Sequence, residues 1–82
     1  MFYDEYGTKI NHGSLIHFTN KRYPAHIRGD RPIVEVVATA YITEYKGGAT
    51  MFMLVNGKLF KDKFGIFGFA LDDEPCYGVR VL

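Results

Sequence analysis

Apolar positions recur at every second residue through residues 33–45, IVEVVATAYITEY. In an extended chain, Val34, Val36, Ala38, Ala40 and Ile42 line one face, and Glu35, Thr39, Tyr41, Thr43 and Tyr45 line the other. The same segment also fits a helix. Ile33, Val34, Val37, Ala38, Tyr41, Ile42 and Tyr45 would then share a face, with Asp30 to cap, Pro32 to open and Gly47 to close it. Side-chain stiffness decides for the strand. Seven of the thirteen residues are β-branched, which disfavours a helix and suits a pleated surface. A strand of this length has to bend, and Ala38 or Ala40 is small enough to sit at the curl.

The flanking pattern predicts further strands. Lys46-Gly47-Gly48 reads as a turn, and residues 49–55, ATMFMLV, are apolar on both faces like a central strand. Asn56-Gly57 predicts a type I′ hairpin turn, because both residues accept positive φ. The returning strand is residues 58–64, KLFKDKF, with a bulge or sharp bend expected at Gly65 and Gly68. Residues 72–75, DDEP, form an acidic turn, and residues 76–82 close the chain as a last strand. Upstream, a first strand spans residues 14–19. Residues 19–31 make a long excursion, with room for a short strand at 25–28, since Pro24 blocks a helix interior there. Five or six strands in one domain, residues 1–82, predict an all-β fold. The economical form is a small SH3-like barrel with room for one short helix, because wrapping the sheet removes open edges.

The opening carries a spaced motif: Asp4, Gly7, Ile10, Gly13, Leu15 and Ile16, each three residues apart as far as Gly13. It resembles the beginning of small phage-encoded β proteins, the YopX-like ones among them. The likeness covers residues 4–16, with Ser14 where those proteins carry an acidic residue. It implies an SH3-like barrel and a phage or mobile-element origin, and it transfers no functional residue.

Composition adds a compact core and an interface. Seven Phe and six Tyr in 82 residues are more than one small core holds, so some are expected at a contact between copies. Charge is nearly balanced at +1, but residues 17–31 carry Lys21, Arg22, Arg28 and Arg31 against Asp30 alone. Cys76 is the single cysteine, so no internal disulfide forms. With no apolar leader and no membrane-length run, the expected setting is the cytoplasm. In that setting Arg28-Gly29-Asp30 is a turn and not an adhesion ligand.

Catalytic motifs are missing. Ser14 lacks elbow glycines, Gly47-Gly48 lacks the Lys-Ser/Thr of a phosphate loop, and acidic neighbours keep Cys76 a poor nucleophile. His12, His17 and His26 have no metal-ligand spacing, so no cofactor is expected. Two binding surfaces remain. One is a protein-binding face of Tyr41 and Tyr45, with Asp72, Asp73 and Glu74 as an anionic rim, suited to a small inhibitor or binding module. The alternative is nucleic-acid contact through Lys21, Arg22, Tyr23, Arg28 and Arg31, whose cations would meet phosphates while aromatic rings stack on bases.

Overall fold

Of residues 33–45, all from Glu35 onward are a strand. In the computed structural model, which describes residues 1–73 and 75–82 apart from the Asp72 side chain, Glu35–Tyr45 forms the longest strand. In chain order the elements are β1 (Phe2–Tyr3), β2 (Lys9–Ile10), β3 (Leu15–Thr19), α1 (Ala25–Arg28), β4 (Glu35–Tyr45), β5 (Gly48–Val55) and β6 (Lys58–Leu59). They continue with β7 (Lys61–Asp62), β8 (Gly65–Ile66), β9 (Gly68–Ala70), a 3-10 turn at Leu71–Asp73, and β10 (Val79–Val81). A straight eleven-residue strand would measure about 33 Å, longer than any principal extent of the molecule, 29 × 25 × 25 Å. That fits a curled sheet better than a flat one.

The main sheet is antiparallel and six-stranded, ordered β10-β3-β4-β5-β6, with β9 also pairing β5. It is a mostly-β domain with one short helix, but the sheet is not closed into a barrel. The expected returning strand at 58–64 does not run as one piece. Phe60 turns inward and stacks on Phe67, with ring centroids 5.1 Å apart. Asp62 then opens a tight turn by accepting the Phe64 N–H at 2.8 Å, so β7 and β8 form their own small hairpin. The edge of β5 is therefore shared by two short strands, β6 at Leu54 and Val55, and β9 from Thr50 to Phe52. Neither pairs with β10.

Two further expectations are corrected. Residues 25–28 are a single helical turn and not a strand. Pro24 stands before the first turn, where its fixed φ of −56° suits helix entry and its carbonyl accepts from Ile27 and Arg28. The last strand starts at Val79, not at residue 76. Cys76 instead forms a lone parallel bridge with Asp4, and Tyr77-Gly78 turns the chain. The Asn56-Gly57 turn is as expected, with φ of 53° and 75°.

Alternation along the strands builds the core. Ile16 and Phe18 of β3, Ala38 and Ala40 of β4, Met51 and Met53 of β5, Phe69 of β9 and Val79 of β10 are buried. Phe2, Ile10 and Phe67 cover them. The two alanines leave room for Phe18 and the methionines on the inner face. Full burial of a side chain such as Phe18 contributes about 2–3 kcal/mol. No helix among the described residues is long and apolar enough to cross a membrane.

One buried carboxylate ties the two chain ends together. Asp4 is 1% exposed. Its Oδ1 accepts the N–H groups of Tyr6 (2.9 Å) and Thr8 (2.8 Å), and Oδ2 accepts that of Val81 (2.9 Å). Burial pushes its pKa up, but the backbone donors, Val81 first, outweigh that and hold it below the ordinary 3.8. Such a group stabilises the fold fully above its ordinary value, and the contribution is lost as pH falls through the lowered one. Asp4→Asn sets an amide N–H₂ against one of these N–H donors. It should cost about 2 kcal/mol at neutral pH and flatten the fall in melting temperature below about pH 4, read by circular dichroism. Equal acid sensitivity in both proteins would remove Asp4 from this role.

Gly78 is the other fixed point. It has φ +85°, and a Cβ there would lie 2.2 Å from the Thr19 carbonyl oxygen. Gly78→Ala should lower stability by about 3 kcal/mol, whereas Gly7→Ala, with the same φ in open space, should cost about 1 kcal/mol. Matching melting temperatures for the two variants would contradict this.

Candidate protein-docking groove

The outer face of the sheet is as apolar as the inner one in places. Odd-numbered residues of β4 point outward, and the register sets Tyr41 directly opposite Phe52 and Thr39 opposite Leu54. Tyr45 meets Phe52 edge to face, centroids 5.5 Å apart. These three rings floor a groove of about 590 Å³ whose wall is Leu59 with Phe64, Gly65 and Ile66 of the β7–β8 hairpin. Tyr45 is 51% exposed, Phe64 52% and Ile66 47%, so this is open apolar surface. Lys46 lies over the Tyr45 ring (5.4 Å) and Lys63 over the Phe64 ring (5.3 Å). Lys61 stands opposite Ile66 in the hairpin ladder.

Tyr41 and Tyr45 are thus together, as the alternation of β4 predicts. The sequence reading missed Phe52, Leu59, Phe64 and Ile66. A continuous strand at 58–64 would have put Phe64 beside Phe60, whereas Phe60 joins the core and Phe64 sits in the turn. The signal was present: Asp62 and Gly65 stand at the first and fourth positions of a four-residue turn, where those residues are favoured. Asp73 does not line this groove. Its Oδ2 accepts the Ala70 N–H at 2.9 Å, and it borders another hollow, of about 340 Å³, with Tyr23, Pro24, Ile27 and Tyr77. The Asp72 side chain and Glu74 lie outside the described residues.

The basic segment is largely tied to the protein itself. Arg22 pairs with Glu5 and lies over the Tyr77 ring. The hydrogen bond from Arg22 is the main cause holding the Glu5 carboxyl below its usual value, and the same contact raises Arg22. Tyr23 donates its hydroxyl to the Tyr77 carbonyl at 2.7 Å, and burial pushes its pKa up to about 12. Arg28 donates to the Arg31 carbonyl at 2.7 Å. Arg31 donates to Asp62 Oδ1 (3.0 Å) and to the Gly65 carbonyl (3.1 Å), with its guanidinium 4.2 Å over Phe67. Lys21 is exposed. Arg28-Gly29-Asp30 is the turn that ends α1, with Gly29 at φ 60°.

Asn20 closes the neck of this excursion. It accepts from the Val34 N–H at 2.8 Å and donates to the Pro32 carbonyl at 3.1 Å. The histidines stand apart: His12 accepts the Ile42 N–H, His17 pairs with Glu35, and His26 lies in α1. Among the described residues, no group of three or more His, Cys, Asp or Glu could hold a metal ion. No protein-family model, curated protein or solved structure matches the chain.

Proposed function

We propose that the chain is a non-enzymatic binding module that acts through protein contacts made by the outer aromatic groove. The observation that carries this reading is the convergence of Tyr41, Tyr45 and Phe52 on the sheet with Phe64 and Ile66 on the hairpin, around about 590 Å³ of open space. Large rings held on paired strands give contact area at low entropic cost, and tyrosine is enriched where interfaces concentrate their energy. The finer fold reading is a half-open SH3-like barrel. The order β10-β3-β4-β5, with β6 and β9 sharing the next place and a 3-10 turn before β10, supports it. The opening motif favours a phage or mobile-element origin, and the tyrosine face suits a small regulator or inhibitor.

Nucleic-acid contact through residues 17–31 has less support, because Arg22, Arg28 and Arg31 are engaged within the chain and the Tyr23 hydroxyl is bonded. A photoreactive side chain at Tyr45 should crosslink a discrete protein partner in the native cell, and one at Lys21 should not. Tyr41→Ser with Tyr45→Ser should abolish capture while leaving the far-ultraviolet spectrum unchanged. Equal crosslinking from both positions, or capture that survives the double substitution, would refute the reading.

A further inference from the structure

We infer that the groove takes an acidic protein segment carrying a bulky apolar anchor. This deepens the docking reading above and rests on it. The first ground is charge. Lys46 and Lys63 stand over two of the lining rings, and Lys61 faces Ile66 across the hairpin. Among the described residues, no carboxylate lines the groove. Asp62, the carboxylate of the hairpin, is turned onto Arg31 and is only 10% exposed. Glu44 belongs to the opposite face of β4, one residue out of phase with Tyr45. The result is an apolar floor with a cationic rim. An isolated rim charge adds little affinity, but several of one sign select a partner of the opposite sign.

The second ground is what this rim excludes. A two-fold contact between copies of the face would bring both sets of three lysines around one apolar patch, with no carboxylate among the groove's described residues to offset them. A single-stranded nucleic acid has the right charge but needs open ring faces to stack on. Here the Tyr45 and Phe64 rings each lie under a lysine ammonium, Tyr45 and Phe52 are nearly perpendicular at 84°, and His12 lies against Tyr41 at 5.4 Å. An apolar side chain can enter between such rings, while acidic neighbours meet the lysines. The floor selects the anchor and the rim selects its flanks.

Selection from a random peptide library displayed against the intact protein tests this. The expected consensus has Phe, Leu or Ile flanked by Asp and Glu, with binding weakened on the order of tenfold by Lys46→Gln, Lys61→Gln and Lys63→Gln together. It should also weaken as salt rises. These lysines are surface residues, so the amide spectrum of the triple variant checks that the fold is kept. A neutral or basic consensus that still requires Tyr41 and Tyr45 would overturn the acidic inference and leave the docking reading standing. No enrichment that depends on those tyrosines would overturn both. Tighter binding of oligo-dT to the same residues would assign the groove to nucleic acid, and concentration-dependent dimerisation lost in Tyr41→Ser would assign it to a second copy. Either result overturns the inference.

Discussion

The pair between Arg31 and Asp62 holds the outer aromatic groove in shape. The β7–β8 hairpin has only two register pairs, and a two-stranded hairpin of that size is marginal by itself. Arg31 reaches it from the excursion between β3 and β4. Its Nη2 bonds both the Asp62 carboxylate and the Gly65 carbonyl, and its guanidinium covers Phe67. Asp62 also takes the Phe64 N–H, so one carboxylate fixes the turn and the anchor together. The pair is not an efficient source of net stability, since Arg31 Nε and Asp62 Oδ2 are buried without hydrogen-bond partners among the described residues. Its value is positional: removing one partner strands the other charge, and the wall of the groove loses its tether.

β4 shows how one strand serves two purposes. Its even-numbered residues bury Ala38 and Ala40 under the core rings, and its odd-numbered residues present Tyr41 and Tyr45 to solvent. Ala38 and Ala40 are small, so β3, β5 and β10 can crowd Phe18, Met51, Met53 and Val79 against them. Of the outer positions, Tyr41 and Tyr45 stay partly exposed beside the β7–β8 hairpin. Core and outer aromatic face share one backbone, so whatever steadies the sheet also positions the tyrosines. Asp4 steadies it from the chain ends, and Asn20 from the neck of the excursion.

Much of the sheet was legible because period-two alternation and turn chemistry are local. The strand at β4, the Asn56-Gly57 turn and the pairing of Tyr41 with Tyr45 on one face follow from neighbours in sequence. The unclosed edge was not legible in the same way. It depends on the chain turning away after Phe60, whose N–H still bonds the Met53 carbonyl while its ring stacks on Phe67, a contact that alternation in residues 58–64 does not announce. The tethering of the basic excursion was not legible for a related reason. Composition counts cations but not their partners, and those of Arg22 and Arg31, namely Glu5 and Asp62, lie 17 and 31 residues away. A cluster that looks like a phosphate-binding surface in sequence is, for Arg31, a bracket behind an aromatic groove.

The most direct measurement is amide hydrogen exchange, residue by residue, on Arg31→Gln beside the parent protein. If the Arg31–Asp62 pair holds the hairpin, exchange should accelerate at Phe64, Gly65 and Ile66 while β3, β4 and β5 keep their protection. The Tyr41 and Tyr45 resonances should shift as the wall moves away. Unchanged exchange at Phe64, Gly65 and Ile66 would contradict the account, because the groove would then keep its form without the pair.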